Sequence, residues 1–193
     1  GLVKELKMGL GNDFVQGVAV KNGSGKTLDI AKEITIKPAL SLKKTTDPQV
    51  LIVHTHTTES YMPYDAGYYN DGDTERTTDE SKNVCAVGEA LAARLRAAGI
   101  QVVHDTTVHD SPKYTGAYTR SEATVKKNLE KYPSIQVVLD IHRDGIMVDK
   151  TTKAKPTVVI NGKKAAQVMI IAGVVSTSAL PHPNWQDNLH FAL

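Results

Sequence analysis

The chain has 193 residues, 40% of them hydrophobic and 23% charged, with a net charge of +2. That is the profile of a folded domain with a proper core, not of a disordered segment, and the charge is too small to argue for nucleic acid or a membrane surface as partner. A single cysteine, Cys85, excludes an intramolecular disulfide, and no apolar run has the length of a membrane span or the layout of a signal peptide. Because the chain opens on Gly1 and not on Met, it reads as a fragment of a longer protein.

In chain order, residues 1–22 form a mixed lead-in. Phe14–Val20 has the composition of one short strand, and Asn22-Gly23-Ser24-Gly25 is turn material. Asp29–Lys37 fits either a short helix or a strand. A polar stretch ending at Pro48 delivers the chain into Val50-Leu51-Ile52-Val53, a β-branched run of buried-strand length. Residues 62–79 show no periodicity and are rich in Tyr, Asp, Gly and Asn, which predicts a long loop. Ser81–Ala98 is the clearest helix: Val84, Val87, Leu91 and Leu95 make one apolar stripe, and Gly99 ends it. Ile100–Val103 then makes a strand. Thr119 and Glu122 have capping-box spacing, so a second helix is expected to run to about Tyr132, with Tyr118, Val125, Leu129 and Tyr132 on one face. A strand through Ile135–Leu139 follows. Pro156–Ile160 and Gln167–Ala172, on either side of Asn161-Gly162, predict a hairpin, and Asn184–Leu193 begins a helix. Strands alternating with helices predict an α/β fold: a mixed, mostly parallel central sheet with helices on both faces.

The chemistry gathers at two strand ends. Val50–Val53 opens into His54, His56, Thr57, Thr58, Glu59 and Ser60, and Ile135–Leu139 runs into Asp140, His142, Arg143 and Asp144. Functional residues of α/β proteins collect beyond the carboxyl edge of the sheet. Zinc takes imidazole nitrogen and carboxylate oxygen, and catalytic sites use three such ligands. His54, His56, Glu59 and His142 supply those atoms, and Asp79 and Glu80 precede the first long helix. If the strand continues past Val53, His54 and His56 point the same way; if the chain turns at Thr55, only one of them faces a metal. Asp140, alternating with His142, fits either the orienting of a ligand or a structural role. Arg143 and Asp144 most simply pair with each other or with a loop carbonyl, although Arg143 could hold a substrate carboxylate. Cys85, on the apolar side of its helix, reads as a small core residue, His104 and His109 as loop structure, and Trp185 as a core anchor. The tyrosines of the long loop, Tyr61, Tyr64, Tyr68 and Tyr69, read as packing on their own domain.

Several motifs in order carry a resemblance. HTHTTESY after the apolar strand, RTTDESKNVCAVGEAL at Arg76–Leu91, VVLDIHRDG at Val137–Gly145 and NWQDNLHFAL at the end resemble the sporulation stage II protein P family. The resemblance implies an amidase-like fold and a peptidoglycan hydrolase of endospore-forming bacteria. It implies a Zn2+ cofactor, and cleavage of the muramoyl–L-alanine amide and of stem-peptide cross-links during engulfment. It also implies partnership with a lytic transglycosylase and a membrane scaffold, and an extracytoplasmic, membrane-anchored location for the whole protein. On this reading residues 1–48 are a lead-in and residues 49–193 a catalytic domain that is incomplete at its C-terminus. The general-base glutamate of related amidases is then expected beyond Leu193. Carried over residue by residue, the resemblance makes His142 one ligand and either His54 or His56 another. The carboxylate stays open among Glu59, Glu80 and Asp79, which lies four residues before the helix-opening Asn83. The mechanism implied is metal-assisted amide hydrolysis, with a carboxylate moving the proton from water to the leaving amine. Two other readings compete: another metallohydrolase, for which Thr58 and Glu59 break the HxHxDH pattern, and a wall-binding module without metal.

Overall fold

The computed structural model describes residues 1–7, 13–16, 18–70, 73, 75–174 and 182–193. Its elements in order are β1 (Leu2–Leu6), β2 (Asp13–Val15), β3 (Val18–Val20), α1 (Ile30–Glu33), β4 (Val50–Val53), α2 (Val84–Ala97), β5 (Val102–His104), α3 (Ala117–Lys131), β6 (Val137–Asp140), β7 (Thr152–Ile160), β8 (Lys163–Ala166) and α4 (Trp185–Ala192). The chain divides into two compact units, one of residues 1–4 and 42–154, the other of residues 5–41 and 155–193.

The first unit is built on β4. Its four apolar residues are at most 2% exposed, because the strand is central and covered on both faces. Each such side chain contributes on the order of 2 kcal/mol through burial. β4 pairs in parallel with β5 on one side, Ile52 opposite His104, and with β6 on the other, Val53 opposite Asp140. The crossover from β4 to β5 runs through α2 and that from β5 to β6 through α3. Right-handed crossovers to opposite sides of one central strand put their helices on opposite faces. Side chains just past β4 agree: His54 lies under Gly88 of α2, and Thr55 bonds Ser121 of α3. The fold is therefore α/β, with a small parallel sheet and helices on both faces.

α2 buries a face rotated from its apolar stripe, keeping Val84 and the predicted core residue Cys85 but not Val87, and α3 buries a different face from the one its stripe predicts. In α2 the buried residues are Val84, Cys85, Gly88 and Ala92, while Val87 is 43% exposed. The reason is space. A Cβ on Gly88 would stand 2.6 Å from His104 Nε2 and 2.8 Å from His54 Nε2, so only small residues can face the sheet where these rings lie. In α3 the buried residues are Ala117, Ser121 and Asn128, and Tyr118 and Leu129 are exposed. Ser121 and Asn128 serve polar partners, Thr55 and Asp105, so hydrogen bonding and not area selects this face.

The helix ends follow local chemistry. Asn83 caps α2, its side chain accepting from Cys85 N–H at 2.9 Å, which starts the helix later than Ser81. At the other end Gly99 takes φ 88°, and the N–H groups of Gly99 and Ile100 return to Arg96 O and Leu95 O, a Schellman closure. α3 has no capping box: it starts after Gly116, at φ 87°, and places Thr119 inside its first turn.

In the second unit the stretch expected as one strand is the antiparallel pair β2 and β3, reversed at Gln16 with φ 51°. Residues 30–33 of the ambiguous segment form α1, capped by Asp29. The Asn161-Gly162 turn takes positive φ at both positions, 51° and 76°, and so joins its strands with no intervening residues. Ile160 therefore pairs with Lys163, and the returning strand is Lys163–Ala166 instead of Gln167–Ala172. In α4 the buried residue is Leu189; Trp185 is half-buried, with the Lys26 ammonium 4.6 Å over its ring, and is not a core anchor. Among the described residues no helix is long and apolar enough to cross a membrane.

Candidate metal centre

The chain leaves β4 at Val53 and turns through residues 55–58, so His54 and His56 part company. His54 is fully buried on the α2 side. Its Nδ1 donates to Ile141 O at 3.0 Å, and its Nε2 is 2.9 Å from His104 Nε2, whose Nδ1 is 3.0 Å from Glu89 Oε2. Burial lowers the His54 pKa, against the raising effect of its bond to Ile141. These contacts occupy both ring nitrogens.

The turn is held from several directions. Thr55 donates its N–H to Asp140 Oδ1 at 2.8 Å and its hydroxyl to Asp140 Oδ2 at 2.6 Å. Thr58 gives its N–H and hydroxyl to the buried carboxylate of Asp110, which also pairs with Arg76. His109, buried, donates Nδ1–H to His54 O at 2.8 Å. Val84 N–H, at the start of α2, donates to Glu59 O at 2.9 Å and fixes where that residue leaves the turn.

The result is a convergence of three donors. His56, Glu59 and His142 each offer one ligand atom, and all three atoms lie within 4.8 Å of one another. His56 Nδ1 is 3.3 Å from Glu59 Oε1, and His142 Nδ1 is 3.6 Å from Glu59 Oε2, an ion-pair distance longer than a hydrogen bond. His142 Nε2 lies 3.0 Å from Asp140 Oδ2. Asp140 thus takes one ring nitrogen of His142 and leaves the other facing Glu59, the arrangement in which an orienting carboxylate presents a histidine to a metal. The Asp140 carboxylate first, and the Glu59 carboxylate next, push the His142 pKa up to about 10. Burial pushes both carboxyl groups upward, but their contacts prevail and each ends below its ordinary value. For Glu59 these are His142 and the Arg143 N–H, and for Asp140 they are His142 and Thr55. Two imidazole nitrogens and one carboxylate oxygen, mostly shielded and oriented from behind, suit a divalent metal that keeps a further position open.

Of the sequence candidates, the structure brings His56, Glu59 and His142 together, with Asp140 behind them. His54 faces the opposite side of the sheet. Asp79 is exposed and engaged by Lys82 Nζ at 2.9 Å and by Ser81, which draw its carboxyl down to about 2, Lys82 first. Glu80 is exposed as well, and neither belongs to the convergent group. Of the two pairings expected for Arg143, Asp144 or a loop carbonyl, the structure shows the second. The Arg143 backbone N–H donates to Glu59 Oε2 at 2.9 Å, and its guanidinium donates to Ser60 O and Glu75 O, because those carbonyls lie within reach where the chain leaves the turn. Asp144 is exposed and accepts from Gly145 N–H. Cys85 is buried, and burial pushes its thiol up to about 11. In the long loop Tyr64 bonds Asp73, and Tyr68 lies against Tyr64, their ring centroids 5.9 Å apart.

Sequence reasoning did not single out Arg76, Tyr114 or Tyr118 for the site. Arg76 NH2 stands 3.7 Å from Glu59 Oε1 while its other nitrogen pairs with Asp110. Tyr114 stacks on His56 with centroids 4.7 Å apart, and Tyr118 meets His56 edge-on at 5.3 Å. Arg76 and Tyr114 lie in loops without a periodic or spacing signal, and the periodicity that includes Tyr118 pointed to helix packing and not to the site.

A family model described as Stage II sporulation protein P (SpoIIP) matches residues 15–193, and the chain belongs to that family. The Stage II sporulation protein P of Bacillus subtilis (strain 168) is 30% identical to it over 149 residues, covering 74% of this chain and 34% of that protein. The chain therefore spans about a third of the length of the curated relative it matches. No solved structure matches the chain.

Proposed function

We propose that the first unit carries the centre of a zinc-dependent peptidoglycan hydrolase. It cleaves the amide between the muramoyl lactyl group and L-alanine, and stem-peptide cross-links, during spore engulfment. The observation that supports this reading is the convergence of His56, Glu59 and His142 in a chain of the stage II sporulation protein P family. These three residues hold the ion, and their donor set is that of catalytic zinc sites. Bound zinc supplies Lewis acidity toward the scissile carbonyl and toward water. Asp140 keeps His142 Nε2–H engaged and so holds the lone pair of Nδ1 toward the ion. Arg143 N–H and the Arg76 guanidinium fix the two Glu59 oxygens, which limits the carboxylate to one orientation. The whole protein, on this reading, acts outside the cytoplasmic membrane and is anchored to it. There it works beside a lytic transglycosylase that cuts the glycan and a membrane scaffold that gathers the two.

The test is metal content together with product chemistry. The purified chain should carry one zinc, and the whole protein should release peptides with new L-alanine amino ends from sacculi. A chain that excludes zinc, or a whole protein that releases no amino ends when loaded, sinks the reading.

A further inference from the structure

The two tyrosines beside the cluster are not equivalent. Tyr114 has both faces occupied. The His56 ring stacks on it at 4.7 Å and 21°, and the Arg76 guanidinium carbon also lies 4.7 Å from its centroid. Two flat groups that close cannot share one face, so they take opposite ones. Tyr118, in the first turn of α3, meets His56 by an edge, at 5.3 Å and 75°, and lies near-parallel to the His142 ring at 6.5 Å and 26°. It is 66% exposed, and among the described residues no group hydrogen-bonds its hydroxyl. A broad ring left in water beside two convergent imidazoles contributes little to the fold, and aromatic rings of this kind serve as contact surfaces.

Resting on the hydrolase reading above, we propose that Tyr118 is a saccharide platform: its open face receives the pyranose ring of the muramoyl residue whose lactyl amide lies over His56, Glu59 and His142. A pyranose presents C–H groups on its faces and hydroxyls at its rim. A flat aromatic face matches the former, and a free phenolic hydroxyl reaches the latter. In a muramoyl peptide a lactyl ether joins the sugar directly to the carbonyl that is cut. A sugar bound for cleavage must therefore lie about one ring-width from the metal donors, which is where Tyr118 stands. A stem peptide would instead bring carboxylates and amines, and the cationic side chains here are already engaged. Arg76 pairs with Asp110 and Glu59, and Arg143 donates to the carbonyls of Ser60 and Glu75.

The experiment measures equilibrium binding of peptide-free glycan strands, alternating N-acetylglucosamine and N-acetylmuramic acid, to the zinc-loaded chain. Wild type, Tyr118→Ala and Tyr118→Phe are compared, with zinc content and thermal unfolding recorded on the same samples. Wild type should bind; Tyr118→Ala should bind about tenfold more weakly, and Tyr118→Phe within about twofold of wild type, since the face and not the hydroxyl makes the main contact. Absence of binding by wild type overturns the proposal. So does equal binding by Tyr118→Ala, a loss in Tyr118→Phe as large as in Tyr118→Ala, or preference for free stem peptide over strands. Full zinc with no effect of Tyr118→Ala removes the platform alone. Failure to take up zinc removes the hydrolase reading itself, whatever the strands do.

Discussion

Two histidine clusters stand on either side of the end of β4, and they are built to opposite ends. His54, His104 and Glu89 form a closed chain on the α2 face, with each imidazole nitrogen spent on a neighbour. His56, Glu59 and His142 form an open cluster at the strand ends, with donor atoms facing one another and Asp140 bracing from behind. The two histidines that begin these clusters are separated by a single threonine. What distinguishes them is backbone direction: strand parity aims His54 at α2, and the turn at residues 55–58 swings His56 across to β6 and the start of α3. A histidine next to a strand end is therefore not a ligand by position. It becomes one when its partners leave lone pairs uncommitted.

The largest expected break of this contrast is His142→Ala. Losing a donor should reduce zinc retention and wall hydrolysis by more than the about 10- to 100-fold typical of losing an orienting partner, with an unchanged far-UV spectrum. Zinc analysis after gel filtration reads it, and retained activity would contradict the assignment. His54→Ala should do the reverse. It empties a fully buried site and strips Ile141 O of its donor, so denaturant unfolding should show a loss of about 2–5 kcal/mol, while the protein that stays folded still takes up zinc. If zinc disappears and stability does not, the two clusters have been assigned the wrong way round.

Smaller changes sharpen the comparison. Asp140→Asn keeps the shape but weakens the hold on His142, and should lower zinc affinity by about 10- to 100-fold in competition with a chelator. Gly88→Ala tests the closed cluster from above. The added methyl meets both rings, and the resulting strain of about 1–3 kcal/mol should outweigh the roughly 1 kcal/mol of helix propensity gained. A more stable Gly88→Ala protein would show that the rings can give way. Last comes pH in the metal-free protein. The folded His142 pKa, about 10, lies above the imidazole's ordinary 6.5, so its stabilisation is complete below pH 6.5 and is lost as pH rises through about 10. Because the ring is partly exposed, the loss should be on the order of 1 kcal/mol after solvent screening, read as a falling midpoint between those limits. On the proposed reading zinc would displace the same proton, so its affinity should rise across that window.

How far the sequence could be read depended on whether a feature is local. Val50–Val53 and Val137–Leu139 announce strands through unbroken or nearly unbroken apolar content, and Asn83 and Gly99 bracket α2 through side-chain and left-handed-backbone chemistry that needs no tertiary partner. The buried faces of α2, beyond Val84 and Cys85, and of α3 were not legible. A helix buries the side that fits its neighbour, and here the neighbours are two imidazoles on one side and a hydroxyl–carboxylate network on the other. The same limit applied to the choice among Glu59, Asp79 and Glu80. Asp79 and Glu80 stand nearer the helix, but Lys82 and Ser81 hold the first in solvent and no hydrogen bond or ion pair among the described residues draws the second inward, whereas the Glu59 backbone is pinned by Val84 N–H and its carboxylate by Arg143 N–H.

By itself, then, the sequence determined that strands and helices alternate, that two strand ends carry imidazoles and acids, and that the motifs in order resemble one family. Which histidine crosses to meet His142, which acid joins them and which tyrosine is left bare were decided only by the tertiary structure. Those outcomes depend on a four-residue turn and on hydrogen bonds from residues dozens of positions away, and no short-range pattern encodes such distances.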